Sequence, residues 1–278
     1  MIDVHVHAVP PKLPGVGPLS PVLSQSPDAV AGELRLAMQE ADVTLAFAMG
    51  AWRGGDDDPL GVTTTLRVAA CVPGLHAIGI ADPTRADSDH LRRAEAAMAT
   101  GHVRALKAYL GYLHYGPDHP NYVPYYELAA RYKVPFFFHT GDTYSPCAKL
   151  RFAHPLLVDD VAVNHPDVRF VIAHVGNPWT LEAAEVVYKN VNVWVDLSGL
   201  VVGDATAFTA EDRLDLLNDL RAAVQRAFRY AERPNRFLYG SDWPLAPMAA
   251  YRSFIAAAVP EVYHTLIFEE NARGLFRL

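Results

Sequence analysis

Two histidines, His5 and His7, stand two residues apart at the end of the apolar opening run Ile2-Asp3-Val4-His5-Val6-His7. A β-strand points every second side chain to one face, so both imidazoles should project together. Neutral imidazole is a common nitrogen ligand for zinc and similar cations. Three more ionisable groups end apolar runs: His139 after Phe136-Phe137-Phe138, His174 after Phe170-Val171-Ile172-Ala173, and Asp242 after Phe237-Leu238-Tyr239-Gly240-Ser241. Taken singly, each has an ordinary structural role, as a core histidine bonded to a carbonyl or an aspartate capping a helix. Such groups buried without partners cost several kcal/mol, and one shared cation would satisfy them together.

That convergence requires a fold bringing four distant strand ends to one point. Short β-like runs alternate with longer helical ones along the whole chain. Strands are expected at residues 2–7, 44–49, 77–81, 103–110, 134–139, 169–174, 191–197 and 236–241. Helices are expected at 28–41, 62–70, 85–100, 124–132, 156–165, 181–189, 210–232 and 248–258, with an extra C-terminal helix over 260–276. Eight such units without a linker predict one α/β domain over 1–278, a (β/α)8 TIM barrel. A doubly wound open sheet is the alternative, but the glycine-rich phosphate turn expected after its first strand is missing. In a closed barrel, strands one, five, six and eight open onto the same rim.

The bulk properties narrow the partners. The net charge of -7 argues against a nucleic-acid surface. No apolar run approaches the roughly 20 residues of a membrane span, and the start lacks a basic region and long apolar centre of a signal peptide. Cys71 and Cys147, far apart and outside any C-x-x-C pattern, suit a reducing cytoplasm, as small core residues or bystanders. A small-molecule substrate is the expected partner.

Four long loops follow strands, at 10–27, 52–61, 111–123 and 142–155, where barrel enzymes assemble their sites. The first, rich in proline and glycine, reads equally as a stiff surface loop or a pocket wall. Candidate substrate contacts are Arg53, Tyr109, His114, Arg151, Asn177 and Trp179, the two arginines suiting an anion through bidentate pairing. Tyr112, Tyr115, Tyr122, Tyr125 and Tyr126 could form a stacking wall or simply pack the loop.

With D-V-H-V-H, F-F-F-H-T-G, F-V-I-A-H-V-G-N, L-Y-G-S-D-W-P and I-F-E-E-N-A-R-G-L-F in this order, the chain resembles the amidohydrolase superfamily. The similarity is to its amidohydrolase-2 group of metal-dependent hydrolases and decarboxylases. The resemblance implies metal ligation by His5, His7, His139 and Asp242. It also implies that His174 activates water or contacts substrate in a mononuclear site, or binds a second metal in a binuclear one. Asn271 would be structural, in a helix packing on the barrel. Lys107, inside the apolar run Val103–Leu110, has three roles open: a carboxylated bridge between two metals, a substrate or electrostatic contact, or a structural pair with an acid such as Asp242. Zinc is the expected ion, one rather than two, and relatives leave room for a homo-oligomer. Asp242, His174 and Lys107 are then the catalytic candidates. The expected reaction is hydrolysis of a carboxylic ester, lactone or amide by a metal-activated water. Decarboxylation of a small aromatic or unsaturated acid is the alternative, and a non-catalytic binding barrel a third.

Overall fold

Eight parallel strands follow one another around the sheet in chain order. They are β1 (Ile2–His7), β2 (Leu45–Met49), β3 (Leu75–Ile80), β4 (Val103–Ala108), β5 (Phe136–Phe138), β6 (Phe170–Ile172), β7 (Val193–Asp196) and β8 (Phe237–Leu238). The ring closes where the Val4 N–H donates to the Tyr239 carbonyl (3.0 Å) and the His7 N–H to that of Trp243 (2.7 Å). This computed structural model describes residues 1–55 and 57–278; Asp56, within the expected 52–61 loop, lies outside the described residues.

Helices α1 (Pro27–Glu40), α2 (Thr63–Cys71), α3 (Ser88–Ala99), α4 (Val123–Tyr132), α5 (Leu157–Asn164), α6 (Thr180–Lys189), α7 (Leu214–Ala231) and α8 (Met248–Ala258) separate the strands or follow the last one. Local chemistry sets their starts. Ser26 caps α1 by accepting the Ala29 N–H (3.3 Å), with Pro27 in the first turn, and Asp87 caps α3 through the His90 N–H (2.9 Å). The apolar stripe Val30, Ala31, Leu34 and Met38 then buries α1 against outward residues of β1 and β2 such as Val6, Ala46 and Ala48.

Inside the ring, Ile2, Val4, Phe47, Met49, Ile78, Ala105, Phe137, Val171, Trp194 and Leu238 fill an apolar core. The C-terminal helix α9 (Asn271–Phe276) plugs the bottom of that core. Its Phe276 ring stacks on Phe47 with centroids 3.7 Å apart, and Asn271 donates to the Pro234 and Phe237 carbonyls (2.9 and 2.8 Å). The continuous helix expected over 260–276 is instead a 3-10 turn (Glu261–Tyr263), a π-helical segment (Leu266–Glu270) and α9. The Ile267 carbonyl accepts the Tyr239 N–H (3.1 Å), tying the irregular segment to the residue after β8.

With one end sealed by hydrocarbon, the polar ends of the strands are left at the other. No helix among the described residues is long and apolar enough to cross a membrane. Cys71 and Cys147 are both free and exposed, so neither is a core residue.

Candidate metal centre and its cavity

A bulge in β1 aims the first two histidines. Asp3 pairs with Ala46 and Val6 with Ala48, so Val4 and His5 together oppose the single residue Phe47. The extra residue resets the alternation: Val4 stays in the apolar core, and His5 and His7 turn onto the cavity above it. Asp3, which simple alternation would place beside them, instead braces the backbone. Its Oδ1 accepts the His5 N–H and the Ser241 N–H, both at 3.1 Å. Burial raises the Asp3 carboxyl to about 7, against the pull of its bonds to Ser241 and His5.

His174 and Asp242 come from tight turns after β6 and β8, and both hold left-handed backbone, with φ of 59° and 61°. Val175 shares that conformation (φ 42°), which is rare for a β-branched residue. Neighbouring contacts hold these turns: the His174 N–H donates to Asp196 Oδ1 (3.2 Å) and the Asp242 N–H to the His5 carbonyl (2.9 Å).

The donor atoms converge. Asp242 Oδ1 lies 3.5 Å from His5 Nε2 and 3.2 Å from His7 Nε2. His139 Nδ1 lies 3.2 Å from His174 Nε2, and the His5 and His174 rings are 4.9 Å apart. A tetrahedral ion with bonds of about 2.0–2.1 Å separates neighbouring donors by roughly 3.3–3.4 Å. Asp242 Oδ1, buried and near two imidazoles, is aligned with neither as a hydrogen bond. Two imidazoles and a carboxylate at this spacing fit a divalent cation. His5, His7 and Asp242 form the tight group. His139 stands outside that group and joins it through His174, while its Nε2 meets the Asp142 carbonyl (2.9 Å).

A second group, His5, His174 and Asp196, was missed by sequence reasoning. Asp196 ends β7 and is wholly buried. Its Oδ2 sits 3.0 Å from His5 Nδ1, and its Oδ1 accepts the N–H groups of His174 (3.2 Å) and Ser198 (3.0 Å) and the Ser198 hydroxyl. A carboxylate on the far nitrogen of a ligating histidine fixes which nitrogen faces the metal. The network therefore assigns the proton to His5 Nδ1 and the lone pair to Nε2. Ser198 Oγ also lies 3.0 Å from both His5 Nδ1 and His174 Nδ1, linking the two rings. The signal was present: Val193-Trp194-Val195-Asp196 ends an apolar run in an acid, as β8 does before Asp242.

Burial alone would raise Asp242 and Asp196. The surrounding imidazoles, His5 foremost, overcome it and hold both well below the usual carboxylate range. Burial and then Lys107 lower His5 to about 4. Lys107, on β4 and wholly buried, falls to about 8 by desolvation, against the pull of Asp196 and Asp242. Among the described residues its Nζ has no hydrogen-bond partner, and neither has the Tyr109 hydroxyl. Both residues line the cavity over the metal group.

That cavity has a volume of about 220 Å³. Tyr109 and Asn177 line it as expected, with Tyr112, Tyr144 and Asp142. The first long loop supplies Pro11, Leu13, Val16 and Leu19, so it is a wall rather than a detached surface loop. Ser145 Oγ on the Pro14 carbonyl (2.7 Å) and the Trp52 N–H on that of Pro11 (2.9 Å) hold it there.

Arg53, Arg151 and Trp179 are corrections, for none lines this cavity. Arg53 lies over the Trp52 ring (4.2 Å), Arg151 over Phe152 (4.7 Å), and Trp179 packs on His154 with ring centroids 4.8 Å apart. His114 is likewise exposed, bonded to the Cys147 carbonyl (2.8 Å). Tyr122, Tyr125 and Tyr126 pack into the core between barrel and helices, while Tyr115 lies against its edge. Of the tyrosine-rich segment after β4, Tyr112 faces the cavity, as does Tyr109 just before it. Arg213, not foreseen, also lines it.

Comparison with known proteins agrees with this architecture. A family model described as Amidohydrolase matches residues 2–278. No curated protein matches the chain. An uncharacterized TIM-barrel protein from Bordetella bronchiseptica superposes with TM-score 0.71 at 18% identity, covering 100% of this chain and 98% of that one. A 2,6-dihydroxybenzoate decarboxylase from Rhizobium gives 0.64 at 15% identity, covering 99% and 98%. The 5-carboxyvanillate decarboxylase of Sphingomonas paucimobilis gives 0.63 at 16%, covering 94% and 87%. At such identities the likeness is one of fold.

Proposed function

We propose that this chain, which belongs to the amidohydrolase family, is a metal-dependent hydrolase of a small carboxylic ester, lactone or amide. The supporting observation is the double placement of one carboxylate. Asp242 Oδ1 joins His5 and His7, while its Oδ2 and His174 Nδ1 both crowd the same glycine, Gly199. His5, His7 and Asp242 would hold the cation, with His139 and His174 beside them, and one zinc ion is the proposed occupant. When bound, such an ion acts as a Lewis acid and lowers the pKa of a coordinated water from 15.7 to about 7.

The chain's own groups do the rest. Asp242 Oδ2 accepts the proton of the attacking water, so no stronger base is needed. Ser198 holds the proton of His174 on Nδ1, through its carbonyl (3.2 Å) and hydroxyl (3.0 Å). The Nε2 lone pair, 3.2 Å from His139 Nδ1, then orients the attacking water by accepting one of its hydrogens. Lys107 Nζ and the Tyr109 hydroxyl, donors without a hydrogen-bond partner among the described residues, take the oxygen on which negative charge develops. Water adds to the acyl carbon, the C–O or C–N bond breaks, and Asp242 returns the proton to the leaving alcohol or amine.

The tyrosine rings favour a second reading, decarboxylation of an aromatic acid. Tyr109, Tyr112 and Tyr144 line the cavity, Tyr112 with its ring 4.7 Å from that of His139, and two of the superposing proteins are named as decarboxylases. A metal-reconstituted sample screened against lactones, esters, amides and aromatic acids separates the two. Acid release without carbon dioxide, abolished by Asp242→Asn, is expected. Carbon dioxide release would replace the hydrolase with the decarboxylase, and metal binding without turnover would refute both. A cytoplasmic setting is part of the proposal, consistent with the two free cysteines.

A further inference from the structure

We propose that Arg213 is a specificity-determining residue that receives a second anionic group of the substrate, remote from the reacting bond. The inference rests on the cavity being the active site and deepens that reading. Arg213 ends the 3-10 turn Glu211–Arg213 just before α7, and it is half-buried on the cavity lining. Two basic side chains line the cavity among the described residues, Lys107 beside the metal group and Arg213.

The segment after β7 spaces Arg213 from the metal group. Gly199 touches His174 and Asp242; Leu200 and Val202 follow along the lining, and Arg213 Nη1 reaches the Val202 carbonyl at 3.5 Å. The Gly203 N–H donates to the Leu245 carbonyl (2.9 Å), tying this segment to the one carrying Asp242. A ligand reaching from Asp242 to Arg213 therefore crosses the apolar patch of Leu200, Val202 and Leu245.

A guanidinium carries five donors, and among the described residues this one makes a single long hydrogen bond. The chain is acidic, and other arginines find carboxylates: Arg131 pairs with Glu95, Arg252 with Asp42, and Arg273 with Glu269. Arg213 has no such partner among the described residues. Asp142, the lining's other carboxylate besides Asp242, is exposed and accepts the Thr143 N–H (2.8 Å). A planar fork beside an apolar wall suits bidentate capture of a carboxylate. The substrate class is thus a small acid with one carboxylate for Arg213, a short apolar or aromatic body, and the reacting group at the histidine end.

Binding of unreactive acids tests this apart from turnover. Titration calorimetry of the metal-loaded protein compares isophthalate with benzoate, for the unmodified chain, Arg213→Met and Arg213→Lys. The unmodified chain should bind isophthalate about tenfold or more tighter than benzoate, from one charge-assisted pair. Arg213→Met should weaken isophthalate about tenfold more than benzoate, with metal content unchanged, and Arg213→Lys should keep part of the preference. Equal losses on both acids, no loss on either, or no isophthalate binding by the unmodified chain would overturn the assignment. Because neither acid reacts, a failed turnover screen leaves this result readable, and loss of discrimination leaves the hydrolase reading standing.

Discussion

Replacing Asp196 with Asn tests whether the buried network sets the metal affinity. The side chain keeps its shape, so the effect comes from one oxygen becoming an amide nitrogen. Asp196 Oδ1 already faces two backbone N–H groups, of His174 (3.2 Å) and Ser198 (3.0 Å), and the Ser198 hydroxyl. An amide nitrogen on that side would point donors at donors. It must therefore turn towards His5 Nδ1, 3.0 Å away, and donate to it. That bond moves the imidazole proton to Nε2, the atom facing His7 and Asp242, and removes the lone pair a cation needs. Loss of such an orienting partner costs about 10- to 100-fold in metal affinity, or about 1.4–2.8 kcal/mol. Competition with a chelator of known affinity at pH 7.5 measures it, alongside the midpoint of unfolding in the metal-free state. Binding within twofold of the unmodified protein, with folding intact, would mean that Asp196 does not set the His5 tautomer.

Gly199→Ala should damage the same centre from another side. The new Cβ would stand 2.5 Å from His174 Nδ1 and 2.9 Å from Asp242 Oδ2, at a φ of +68° that side chains disfavour. Metal content measured by mass spectrometry should fall together with turnover, and a variant normal in both would refute the crowding. Stability should also depend on pH once metal is chelated. Burial holds His5 at about 4 and keeps His76, His90, His139 and His174 below the ordinary 6.5. Below pH 6.5 the unfolded chain binds protons that the native histidines refuse, so stability falls by about 1.4 kcal/mol per pH unit for each proton. Asp3, raised to about 7, opposes this with one proton, since its native carboxyl is already protonated as pH drops. Urea midpoints should therefore decrease from pH 6.5 to 5; a flat or rising series contradicts the burial of these rings.

The fold was legible because its signal is repetitive. Eight apolar runs alternate with helical stretches, and the ends of β5, β6 and β8 carry polar groups where a rim must lie. What stayed hidden depends on contacts between distant segments. The β1 bulge adds one residue opposite Phe47, and nothing in Ile2–His7 announces it. Arg53 and Arg151 follow strands, as pocket residues should, yet neighbouring aromatic rings draw both guanidinium groups elsewhere. Tyr122, Tyr125 and Tyr126 follow β4 in sequence, but the 3-10 turn Pro120–Tyr122 and α4 direct them into the core between barrel and helices. Asp196 is different: the rule that found Asp242 applies equally to it, an acid closing an apolar strand.

The stretch after β7 explains why one part of the rim can govern both metal and substrate. Asp196 and Ser198 orient His5 and His174, Gly199 admits them closely, and Leu200, Val202 and Arg213 continue along the cavity wall. Tyr251 of α8 clamps this stretch, its hydroxyl accepting the Leu200 N–H (3.0 Å) and bonding the Leu197 carbonyl at 2.5 Å. A shift of the stretch would thus move the orienting carboxylate and the cavity wall together, since they lie on one short length of backbone. Arg213, reached only after the chain loops out and returns to α7, can vary without disturbing Asp196. Metal affinity and the choice of acid are therefore separable properties here, which is why the two can be tested by different substitutions in the same connection.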